Sequence, residues 1–193
     1  MFQWRKWIAV AGLLLAGLLA AGILTSGCGG SSQEAEHDSY VSSYVKTMDE
    51  FQARASRDDK EFASLAQKND LSGLINLDKK RITDIQDVYG QIMKLRPSAD
   101  LQKVHAITLY YLVSVIDQLQ AQNNYWEAVL SSKPSTDLKT IAESATTKVQ
   151  ALAAELGVEL QKANIKLKSM QQRPSGQQQT SPASPSGGSE SAP

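Results

Sequence analysis

Along the middle of the chain, apolar residues recur at alternating steps of three and four, which predicts helices nearly throughout from about Glu34 to Met170. In the first helix Tyr44, Met48, Phe51, Ala55, Phe62 and Leu65 share a seam, and Asp58 takes its one missing slot. The second carries Leu71, Ile75, Ile82, Ile85, Tyr89 and Ile92 in the same rhythm, with Asp78 in the gap. The third runs from Leu101 through His105, Thr108, Leu112, Val115, Leu119 and Trp126, and Val104, Ile107, Tyr111 and Ile116 widen its apolar arc. The fourth uses Leu138, Ala142, Ala145, Val149, Leu152, Leu156, Leu160, Ala163, Leu167 and Met170. Leu152, Leu156 and Leu160 take two steps of four in a row, a stutter that relaxes the supercoil locally.

The breaks divide the pattern. Pro97-Ser98-Ala99-Asp100-Leu101 and Pro134-Ser135-Thr136-Asp137-Leu138 are nearly the same pentapeptide. In each, proline ends one helix, serine is placed to cap the next, and aspartate sits in its first turn near the positive dipole end. Around Lys68-Asn69-Asp70 the break is weaker. Ser72, Gly73 and Asn76 follow it, so an irregular piece is expected before a second helix that starts near Leu77. Short connections make sequential neighbours antiparallel. The expected fold is all-α, an antiparallel up-down-up-down four-helix bundle.

Both ends of the chain depart from this rhythm. Arg5 and Lys6 precede an uninterrupted apolar or small run from Ile8 to Leu24, the layout of an export signal. Thr25-Ser26-Gly27-Cys28 follows, and Cys28 is the single cysteine. This stretch resembles the lipobox of bacterial lipoproteins, with Ser26, Gly27 and Cys28 in the pattern and Thr25 where the family carries an aliphatic residue. The resemblance implies a diacylglyceryl group on the Cys28 sulfur and cleavage just before it. The other reading is an uncleaved anchor, because the apolar run is near the roughly 17 residues needed to span a bilayer. In either case the basic end stays inside and Ser31 onward lies outside. Gln171 to Pro193 is Pro, Ser, Gly and Gln with almost no apolar residue, and such a segment is expected to be a disordered tail. The organisation expected is therefore a signal over residues 1–27, a lipidated cysteine and tether over 28–35, a bundle over 36–171 and a tail over 172–193.

Composition narrows the function. Lys and Arg balance Asp and Glu at 20 each in the 193 residues, and loss of Arg5 and Lys6 with the signal leaves a slightly acidic chain. No concentrated basic face marks a nucleic-acid partner. Nor is there a Gly-x-Ser-x-Gly elbow, a Gly-rich phosphate loop or a spare cysteine, so no enzyme chemistry and no cofactor is expected.

Four sets of residues remain as candidates. Asp58 and Asp78 lie about equally far from the turn near Lys68 and are expected to meet across the hairpin, as a metal site or as aspartates at the seam edge, solvated or ion-paired. His105 is expected level with Tyr89, whose hydroxyl would satisfy the imidazole, with a metal-ligand role as the alternative. His37, among Glu34, Glu36 and Asp38, is expected in a solvated helix start, though the same set could hold a metal weakly. Tyr110, Tyr111, Tyr125 and Trp126 crowd the third helix, and one member of each pair must lie at the bundle margin. Such aromatics suit partner contact.

The expectation is a non-catalytic lipoprotein on the extracytoplasmic face of the cell membrane, held there by Cys28 and contacting another envelope protein. It would sit on the outer leaflet in a Gram-positive cell, with the outer membrane possible in a Gram-negative one. A binding protein for a small molecule or metal is the alternative. The Pro97 to His105 run also resembles small helical lipoproteins of unknown function, which implies no mechanism.

Overall fold

The computed structural model describes residues 32–167, and these form four helices: α1 (Ser32–Gln67), α2 (Leu71–Met93), α3 (Gln102–Leu130) and α4 (Thr136–Lys162). They make an antiparallel up-down-up-down bundle, in which extensive close backbone approach is confined to helices adjacent in sequence. The expected signal, Cys28 and the tail all lie outside the described residues. Residues 32–35, expected as tether, already belong to α1, and Glu34 sits in its first turn, where the helix dipole favours a carboxylate.

The seams pack as their spacing demands. Tyr40, Tyr44 and Met48 of α1, Ile85, Val88 and Ile92 of α2, Val104, Leu112 and Leu119 of α3 and Leu156 and Leu160 of α4 form one buried cluster. A second, smaller cluster joins Leu74, Ile75 and Trp126, with Phe62, Leu65, Leu71 and Tyr125 packed on it. Across the bundle α1 and α3 run parallel with a constant stagger. The pairs Tyr40–His105, Tyr44–Thr108 and Phe62–Trp126 meet at separations of 64 or 65 residues along the chain.

Three helix ends share one device. Asn69, Ser132 and Asn164 take left-handed backbone angles, with φ of 55°, 52° and 55°. After each, the next N–H reaches back five residues: Asp70 to Leu65 O, Lys133 to Ala128 O and Ile165 to Leu160 O. These are Schellman ends, which satisfy carbonyls that the helix leaves open. Asn164 therefore stops α4 at Lys162, short of the expected Met170, and Ile165 and Leu167 fold into the main cluster outside the helical rhythm.

α2 begins at Leu71, not near Leu77, because Asp70 caps it: its carboxylate accepts the Gly73 N–H at 2.8 Å. A Cβ at Gly73 would stand 2.6 Å from the Asp70 carboxylate and 2.7 Å from Leu65, so the cap requires the glycine. The two matching pentapeptides act differently. After Pro97 the chain makes a 3-10 turn (Ala99–Leu101) before α3, whereas after Pro134 it enters α4 directly. Ser98 and Ser135 hold the N-cap positions, but neither side chain makes the expected capping bond.

Candidate functional site

The polar residues in the seams gather into two groups. One lies where α1 and α3 begin. Thr108 donates to the Val104 carbonyl at 2.7 Å, so its single proton is committed and the Tyr44 hydroxyl must donate to it, at 2.9 Å. Both residues are fully buried. One turn earlier the Tyr40 hydroxyl meets His105 Nδ1 at 3.2 Å, and the two rings lie 5.8 Å apart. Burial lowers the His105 pKa, and burial, then the neighbouring Tyr44, raises that of Tyr40. A neutral imidazole accepting from a neutral phenol fits both shifts. The hydroxyl partner expected for His105 is thus present, but it comes from α1 and not from Tyr89. Counting across the α2–α3 connection does not reveal that α1 packs diagonally on α3.

His37 lies in a solvated helix start, as expected, but it is also tied down. Its Nδ1 lies 3.2 Å from Asp100 Oδ2 and 3.4 Å from Ser98 Oγ, which fastens the start of α1 to the α2–α3 connection. At the same end Lys103 and Lys162 both donate to Glu159 Oε1, at 2.9 and 2.7 Å, clamping α3 to α4.

The second group surrounds Arg81. Asp58 and Asp78 do meet across the α1–α2 hairpin, as expected, but a cation lies between them and neither sits at a solvated edge. Asp58 is 7 % and Asp78 0 % exposed. Asp58 accepts from Lys80 at 2.9 Å and lies 3.9 Å from Arg81 Nε. Arg81 Nη2 donates to Asp59 at 2.9 Å, and Nη1 stands 3.6 Å from Asp78 Oδ1. The guanidinium also lies 5.4 Å from the Phe62 ring centre. Such an arrangement suits a register lock better than a metal. Among the described residues no group of three or more His, Cys, Asp or Glu could hold one, and His105 is a bundle length away.

Asp78 is the anomaly in this group. Neither of its carboxylate oxygens has a hydrogen bond, and burial, only partly offset by Arg81, pushes its pKa up to about 7. Asp59 is raised too, first by burial. The Asn123 side-chain oxygen on α3 is likewise buried without a partner. Asn123 carries no signal in the sequence, whereas Lys79, Lys80 and Arg81 adjoin Asp78 and suit the ion-paired reading of the aspartates. The spacing of Arg81, three residues after Asp78, was the available signal.

The aromatic pairs divide as expected. Tyr110 is 51 % exposed beneath Lys148, whose Nζ is 4.9 Å from the ring centre, while Tyr111 is half-buried with its hydroxyl pKa pushed up to about 12 by burial. Tyr125 is half-buried and Trp126 is core, its ring tilted at 39° to that of Phe62 with centroids 6.0 Å apart. Trp126 is therefore no partner anchor, because its indole fills the bundle. A shallow groove of about 460 Å³ follows α1, lined by Val41, Ser42, Val45, Lys46, Asp49 and Glu50. Among the described residues no helix is long and apolar enough to cross a membrane.

Comparison of the chain with protein-family models, with curated proteins and with solved structures returned no match in any of the three.

Proposed function

We propose that this chain is a membrane-anchored lipoprotein of the extracytoplasmic face, whose helical bundle works by protein contact in the cell envelope and not by catalysis. One observation carries the contact reading: the polar side chains in the seams bond to one another across helices. Tyr44 meets Thr108, Tyr40 meets His105, and Asp58 and Asp59 meet Lys80 and Arg81. They act as cross-links, and the α1 groove is lined from a single helix. The surface left for a partner includes Tyr110 and Val113 on the outer face of α3. The anchor rests on Arg5, Lys6, the apolar run and Ser26-Gly27-Cys28. Two acyl chains at Cys28 would hold the chain firmly, since each buried CH₂ contributes about 0.8 kcal/mol.

Native mass spectrometry of protein extracted gently from its own membranes tests both parts. A mass beginning at Cys28 plus a diacylglyceryl group is expected, together with a second polypeptide. Retention of Met1 to Gly27 would overturn the lipidation, and a co-purifying metal or small ligand would replace the contact reading with that of a binding protein.

A further inference from the structure

The carboxylates around Arg81 outnumber their cations. On α1 Asp58 is matched by Lys80 and Asp59 by Arg81, both at 2.9 Å. Asp78 is left with the far side of a guanidinium already committed to Asp59. Lys80 is shared with Asp84 at 3.1 Å, Lys79 is paired with Glu127 on α3 at 3.3 Å, and α4 does not pack closely on α2. A fully buried ionised carboxylate with no hydrogen bond is costly, and such a group becomes neutral when it can.

Asn123 offers the means. Leu74 and Ile75 pack on Trp126 in the antiparallel α2–α3 pair. Counting one turn further along both helices, in opposite chain directions, brings the buried Asp78 and the buried Asn123 to about the same height. Both present acceptor oxygens without partners, and two acceptors can share a proton.

We propose that Asp78 is a proton-binding latch: it takes one proton from solvent and donates it in a hydrogen bond to the side-chain oxygen of Asn123, closing the α2–α3 seam. As the pH rises the proton returns to solvent, the bond is lost, and a buried charge faces Arg81 alone. The latch needs no metal or ligand and does not depend on the anchor at Cys28.

The test is a carboxyl NMR titration of the full-length chain in detergent, labelled with ¹³C-aspartate. One resonance is expected to titrate near pH 7 and to vanish in Asp78→Asn. If every aspartate titrates below pH 5, or if the neutral-range resonance survives Asp78→Asn and so belongs to Asp59, the latch is wrong. Asn123→Leu keeps the volume and removes the acceptor. Loss of one hydrogen bond to the protonated form should move the midpoint down by about one pH unit. An unmoved midpoint would exclude Asn123 as the acceptor.

Discussion

At the Tyr40 end of the bundle α1 and α3 are joined by neutral groups, whereas at the Arg81 end α1 and α2 are joined by ions. Both ends place polar side chains in an apolar seam. Phenol, hydroxyl and imidazole lose little on burial and regain one hydrogen bond each, and they set the stagger of α1 on α3. Carboxylates and a guanidinium lose far more hydration, and their mutual attraction returns it only if every charge is matched. At the Arg81 end the match is incomplete, because Asp78 is fully buried without a hydrogen bond. A neutral cross-link can be deleted at modest cost. An ionic one fails as a set.

Arg81→Ala should therefore have the largest effect. It removes the cation shared by Asp58, Asp59 and Asp78 and the contact with Phe62, and should cost about 3 kcal/mol in urea unfolding at pH 8. Asp59 is half exposed, so most of that loss belongs to the two buried aspartates. The cost should shrink at pH 5, where Asp78 sheds its charge. An equal loss at both pH values would mean that Asp78 stays ionised.

Tyr44→Phe tests the other end and should cost about 1 kcal/mol, since it deletes one buried hydrogen bond and leaves Thr108 bonded to Val104. A loss as large as that of Arg81→Ala would erase the distinction between the ends.

The subtlest effect is a slope. Asp78 has a folded pKa of about 7 against an ordinary 3.8, so its contribution is fully present below 3.8 and is lost as the pH rises through 7. His105 is lowered from 6.5, so its contribution is present above 6.5 and is lost as the pH falls through its folded value. The two ends oppose each other just below pH 6.5. His105→Phe should steepen the fall in melting temperature with rising pH across that window, while Asp78→Asn should turn it into a rise. The same slope in both variants would show that neither group sets it.

The sequence carried the seams because burial in a bundle is periodic. Tyr44, Ile85, Leu112 and Val149 fall where a step of three or four puts them, and so does Tyr40, four before Tyr44. Asp58 and Asp78 stood out as gaps in that rhythm. What periodicity does not encode is contact between elements distant in the chain. His105 was assigned to the adjacent helix, and its hydroxyl partner lies 65 residues away on α1. The end of α4 at the left-handed Asn164 is also hidden, because the apolar pattern runs on past it, whereas the breaks at Asn69 and before Pro134 show in the sequence. Asp70 reads as a cap only once Gly73 is seen to make room for it.

The length of α1 is also a ruler. Asp58 lies 26 residues after Ser32, about 39 Å along the axis at 1.5 Å per residue. Close to a membrane, anionic lipid concentrates protons, but that field fades over a Debye length of about 8 Å. If the chain is tethered at Cys28 and α1 stands upright on the membrane, Asp78 lies far beyond the acidified film. The carboxylate would then answer to the pH of the open compartment and not to that of the lipid surface.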